Sequence, residues 1–108
     1  MSTGVRVLCR PEVAPGFALV GLAVETQVPE GDLAGTLATL LGRSDVGVLL
    51  MEDRLYRALS EDARRKADRS AVPVVVPFPS PVWEAVPAAE QYVVELLRRA
   101  IGYRVRLG

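Results

Sequence analysis

Apolar residues fall along the chain in short runs separated by proline, glycine and charged punctuation, and the period of the runs changes from one to the next. Val5-Arg6-Val7-Leu8-Cys9 is rich in β-branched residues and is stopped by Arg10-Pro11, where proline removes the next ladder donor, so it predicts a first strand. From Val13 to Leu22 the positions Val13, Phe17, Val20 and Gly21 recur at helical spacing, with Pro15 tolerable only in a first turn. A short helix is expected there. Ala23 to Val28 alternates weakly before Pro29-Glu30-Gly31-Asp32, which predicts a half-buried second strand ending at that turn. Asp32 can cap the next helix, whose apolar face is Leu33, Thr36, Leu37, Leu40 and Leu41 and whose stop is Gly42.

Val46-Gly47-Val48-Leu49-Leu50-Met51 is apolar without interruption, the pattern of a strand covered on both faces and hence of a central parallel strand. Glu52-Asp53 opens a helical stretch that turns Leu55, Tyr56 and Leu59 inward; Ser60-Glu61-Asp62-Ala63 restarts it, and Arg64 to Arg69 reads as its solvated end. Val72-Pro73-Val74-Val75-Val76-Pro77 predicts a fourth strand, with Pro73 confined to its start. The stretch from Pro77 to Pro87 carries four prolines and Trp83 and reads as a stiff connection, Trp83 being an anchor over the sheet edge. In the last element, Ala88 to Ile101, apolar residues at Tyr92, Val93, Leu96, Leu97, Ala100 and Ile101 step by three or four, and Gly102 is its expected stop. Glu90 near its start and Arg98 and Arg99 near its end suit the helix dipole, and Glu95 with Arg99 makes an i,i+4 pair.

Strands alternating with helices at this spacing imply an α/β layer fold with right-handed crossovers. The arrangement expected is a four-stranded parallel sheet of order 2-1-3-4, flavodoxin- or Rossmann-like, flanked by helices and closed by a C-terminal helix. Residues 1–80 form the α/β head and residues 81–108 the connection and helix, within one domain overall. A length of 108 residues suits a single shared core.

Composition narrows the function. The 13 basic and 13 acidic side chains balance, which removes the long-range field of a nucleic-acid or anionic-membrane binder. A single cysteine, Cys9, excludes an internal disulfide, and the absence of histidine removes the commonest zinc ligand and general base. Met1-Ser2-Thr3-Gly4 lacks the pattern of a signal peptide, and no apolar run approaches the ~20 residues that span a bilayer, so a cytoplasmic protein without membrane insertion is expected. Lys66 is the only lysine beside twelve arginines, and asparagine is absent.

In such a fold a small ligand sits beyond the carboxyl ends of the strands where the order reverses, here between Cys9–Gly16 and Met51–Arg54. Gly16 and Gly21 have the spacing of a phosphate loop, but Leu22-Ala23 follows where Lys-Ser/Thr is needed, and no Gly-x-Gly pair exists. A receiver-type phosphoacceptor domain needs an acidic pair after the first strand, where Cys9-Arg10-Pro11 stands, and Asp53 alone holds magnesium poorly. Asp53 reads as a helix cap, Glu52 and Asp53 as neighbouring carboxylates on a solvated loop, and Cys9 as buried packing without a base to activate it. No catalytic, metal or cofactor site is expected.

Several segments, in order, resemble one family. Gly16-Phe17-Ala18-Leu19-Val20-Gly21 is similar to a Gly-Phe-x-Leu-x-Gly signature, and Val46–Asp53 to an apolar third strand ending in an acidic residue. Pro73-Val74-Val75-Val76-Pro77 matches a Pro-Val-apolar-apolar-Pro strand, and Arg98–Tyr103 a closing Ile-Gly helix end. The family is the F subunit of the rotary V-type, or archaeal-type, ATP synthase/ATPase; Pro77-Phe78-Pro79-Ser80-Pro81 departs from its Ile-Pro-Ser. The resemblance implies a noncatalytic central-stalk component bound beside the coiled-coil D subunit. It also implies contact with the catalytic A/B ring through the C-terminal helix, and a role in coupling ATP chemistry to proton or sodium movement. The partner-facing residues hypothesised on that basis are Tyr92, Glu95, Leu96, Arg98, Arg99 and Tyr103; the plainer alternative is that Tyr92, Val93, Leu96, Leu97, Ala100 and Ile101 cover the domain's own sheet. The rival reading is a stand-alone flavodoxin-like signalling or ligand-sensing domain, and a third is an orphan domain that oligomerises through its sheet edge.

Overall fold

Four parallel strands pair in the order β2-β1-β3-β4, as the alternation of elements predicts. The structure, a computed structural model, describes residues 4–80 and 86–107, with side chains described over 4–80 and 90–100. The elements are β1 (Gly4–Cys9), α1 (Ala14–Leu19), β2 (Ala23–Thr26), α2 (Leu33–Leu41), β3 (Val46–Glu52), α3 (Asp53–Ala58), α4 (Glu61–Arg69), β4 (Val74–Phe78) and α5 (Val86–Leu107). Of the proline-rich connection, residues 81–85, Trp83 among them, lie outside the described residues, as do 1–3, 108 and the side chains of Ile101 and Tyr103; its first residues instead close β4, and Val86 and Pro87 open α5.

The uninterrupted apolar run of β3 is buried along its whole length because helices cover both faces of the sheet. Successive strand side chains point to opposite faces. Val48 and Leu50 therefore join Val7, Cys9, Phe17 and Phe78 in the core under α1 and α5. Leu49 and Met51 join Leu8, Leu37, Leu55 and Ala67 in the core under α2, α3 and α4. On the first face the rings of Phe17 and Phe78 meet edge to face at 5.1 Å. The final helix belongs to this core: Val93, Leu96 and Ala100 are buried in it, with Tyr92 and Leu97 packed alongside.

Local signals set most boundaries. The Asp32 carboxylate accepts from the Gly35 amide and caps α2, whose last turn closes at Gly42. Ser60 accepts from the Ala63 amide and caps α4. Pro77 lies on the exposed side of edge strand β4, where a missing N–H is tolerated.

Elsewhere the sequence pattern misplaces an end. The first helix stops at Leu19 rather than Leu22, because Gly21 takes φ 84° and the chain turns there into β2. The fourth strand extends one residue past Pro77, since Phe78 is drawn into the core. The second half of α4 is not wholly solvated: Ala67 is buried, and Arg64 donates to the carbonyls of Arg57 and Leu59 at the end of α3. Gly102 does not end the last helix, which continues to Leu107. No helix among the described residues is long and apolar enough to cross a membrane.

Candidate functional site

The order reversal lies between β1 and β3, so the ligand position typical of this architecture is beyond Cys9 and Glu52. Parallel register brings three residues together there: Arg10 just past β1, Glu52 closing β3, and Ser80 just past β4. Glu52 is 0% exposed and the Arg10 side chain 14%.

The carboxylate is fully engaged. Its Oε1 accepts from the Arg10 main-chain N–H at 2.9 Å and from Arg10 Nε at 3.1 Å. Its Oε2 accepts from Arg10 Nε at 3.0 Å and from Ser80 Oγ at 2.5 Å, and Arg10 Nη2 lies 2.8 Å from it. The outer edge of the guanidinium, Nη1, reaches Glu12 at 2.9 Å. Burial pushes the Glu52 carboxyl pKa up, but the hydrogen bonds from Arg10 and Ser80 and the Arg10 charge outweigh it, so the group stays below the usual glutamate value. The bond to Glu52 in turn raises Arg10. Next to them, burial and the Glu52 charge push the Cys9 thiol up to about 12, which keeps it protonated and unreactive.

This corrects the expectation of a solvated acidic pair. Glu52 is buried and is itself the residue preceding α3, whereas Asp53 makes no cap and instead pairs, one turn along α3, with Arg57. The sequence did hold a signal: two adjacent parallel strands end in side chains of opposite charge at the switch point. Among the described residues, no three His, Cys, Asp or Glu side chains gather in a way that could hold a metal ion.

The residues singled out on the last helix are divided by its packing. Leu96 is buried in the domain's own core. Tyr92 is half-buried and donates its hydroxyl to the Pro79 carbonyl at 2.6 Å; burial holds its pKa at about 12. Glu95, Arg98 and Arg99 are exposed, and Glu95 takes Arg98 as its partner at 2.8 Å, an i,i+3 pair, rather than Arg99. A cleft of about 70 Å³ between Pro79, Tyr92, Leu96 and Arg99 has room for little more than water. Val94, 51% exposed, sits beside Glu90, Gln91 and Glu95 on the open side of the helix.

What fold and site define is a small doubly wound parallel α/β domain whose switch-point crevice is filled by its own ion pair and which ends in a long helix. Residues 5–95 match the family of the ATP synthase (F/14-kDa) subunit, and the chain belongs to that family. Its fold is similar to the crystal structure of the F subunit of the V-type ATP synthase from Archaeoglobus fulgidus, with a TM-score of 0.63 and 26% identity, over 72% of this chain and 99% of that one. No curated protein matches the chain.

Proposed function

We propose that the chain is the noncatalytic F subunit of the central stalk in a rotary V-type ATP synthase/ATPase. It binds beside the coiled-coil D subunit, turns with it and helps couple ATP synthesis or hydrolysis to proton or sodium transport. The protein is cytoplasmic and peripheral to the membrane, carries no cofactor, and contacts the catalytic A/B ring through α5.

One observation carries this reading: the place where this architecture binds ligands is occupied by Arg10 and Glu52, while charged residues of α5 face outward. With the crevice filled, surface is what the domain has to offer. Leu96 and the half-buried Tyr92 anchor the helix to the head, and the exposed Glu95, Arg98 and Arg99 form the partner-facing set, meeting polar and acidic groups of the stalk or ring.

Charge reversal at the exposed Arg98 and Arg99, which leaves the buried Val93, Leu96 and Ala100 in place, titrated against D and against the ATPase, tests this. Weakened binding to D or altered hydrolysis is expected; unchanged binding together with unchanged hydrolysis overturns the role of α5. A saturable response to acyl phosphate or nucleotide would instead favour the signalling domain.

A further inference from the structure

The segment leaving β4 is held in an unusual way. Pro77, Pro79 and Pro81 have no N–H, so between positions 77 and 81 only Phe78 and Ser80 can donate from the main chain. Side chains supply the attachment: Ser80 Oγ donates to Glu52 at the end of the sheet, and the Tyr92 hydroxyl of α5 donates to the Pro79 carbonyl. Adjacent residues are thus tied to different elements, and one of the two ties ends on a buried carboxylate.

We propose that Glu52 is a charge-dependent clamp that, when ionised, fixes Pro79–Ser80 and through them the near end of α5 to the sheet, and that on protonation frees this segment while the sheet stays folded. Hydrogen bonds to an ionised acceptor are roughly twice as strong as neutral ones, so protonation weakens the Ser80 tie and dissolves the ion pair with Arg10 in one step. The titratable and charged neighbours are Cys9 and Arg10 from β1 and its exit, Glu12 beyond them, Asp53 next in the chain, and Tyr92 with Arg99 behind it on α5. Cys9 and Tyr92, both near 12, and Arg10, raised by its bond to Glu52, keep their protons throughout the acid range. The carboxyl works below the ordinary glutamate value because Arg10 and Ser80 favour its charged form. The clamp is a property of this chain alone and holds whichever partner covers α5.

An NMR titration of the full chain from neutral pH into acid, with amide exchange measured at each step, tests the clamp. The Arg10 and Ser80 amides and the Tyr92 ring are expected to move with one midpoint. Protection at Phe78 and Ser80, referenced to the intrinsic exchange rate at each pH, should fall about tenfold across it, while Leu8 and Leu50 stay protected. Ser80→Ala leaves the ion pair intact, so it should open the segment at neutral pH while the Arg10 amide still titrates. Glu12→Gln should leave the coupled step in place. Silence of Ser80 and Tyr92 while Arg10 titrates, loss of protection everywhere in one step, or disappearance of the step in Glu12→Gln would each overturn the proposal.

Discussion

Replacing Arg10 by Met removes the cation of the buried pair while keeping much of the side chain's volume. The wild-type guanidinium meets Glu52 through Nε at 3.1 and 3.0 Å and through Nη2 at 2.8 Å. Stranding one partner of a buried ion pair typically costs about 3–5 kcal/mol. The Arg10 main-chain N–H and Ser80 Oγ still bond the carboxylate, so the loss at neutral pH should fall at the lower end, about 3 kcal/mol. That is a large part of the ~5–15 kcal/mol that holds a typical domain together.

The pH dependence separates charge from packing. In the wild type the folded Glu52 pKa is lowered, so its stabilisation is complete above the unfolded value, roughly 4.3, and fades as pH falls through the folded value. In Arg10→Met burial, the largest influence on the group, is opposed only by Ser80 and the residue-10 amide, so the folded pKa should rise above the unfolded one, the folded state gains protons, and stability increases as pH drops. Each unit of difference between the two pKa values is worth about 1.4 kcal/mol. The gap between the proteins should therefore narrow from about 3 kcal/mol near pH 7.5 to about 1 kcal/mol near pH 4.5. Urea unfolding followed by circular dichroism across that range measures it. A gap of constant size would show that Arg10 contributes only packing and would refute the reasoning.

Other perturbations probe the frame around the site. Phe17→Ala removes a fully buried ring in edge-to-face contact with Phe78 and should cost about 3–5 kcal/mol by urea unfolding. Gly21→Ala meets nothing within 4 Å of the added Cβ, so its cost, about 1 kcal/mol, should come only from the positive φ, and Gly21→Asn should cost less. Cys9, buried with its thiol near 12, should not react with a thiol reagent at pH 8 until denaturant unfolds the chain; rapid labelling of the native protein would contradict its placement.

The sheet order was legible because its cues were strong and local. The run Val46–Met51 can only be a strand covered twice, and α2 is bracketed by its cap at Asp32 and its stop at Gly42. Three features were not legible, each for a different reason. The end of α1 depends on the backbone at Gly21, which apolar periodicity does not encode. Gly102 has the look of a stop, yet glycine costs only about 1 kcal/mol inside a helix, and α5 runs through it. The fate of Glu52 depends on which strands become neighbours: beside Asp53 in sequence it looks solvated, and only parallel register sets it against Arg10 and Ser80. On α5, Leu96 and Arg98 stand together among the expected partner-facing residues, and only packing separates the buried residue from the exposed one.

The central claim is that the domain acts through the surfaces it presents within the stalk of a rotary ATPase. Mass spectrometry of the intact assembly, purified through another of its components, tests it most directly. The account predicts one copy of the chain per complex, released together with D as a pair when the assembly is dissociated. Recovery of the complete assembly without the chain, with ATP-driven ion transport undiminished, would contradict it.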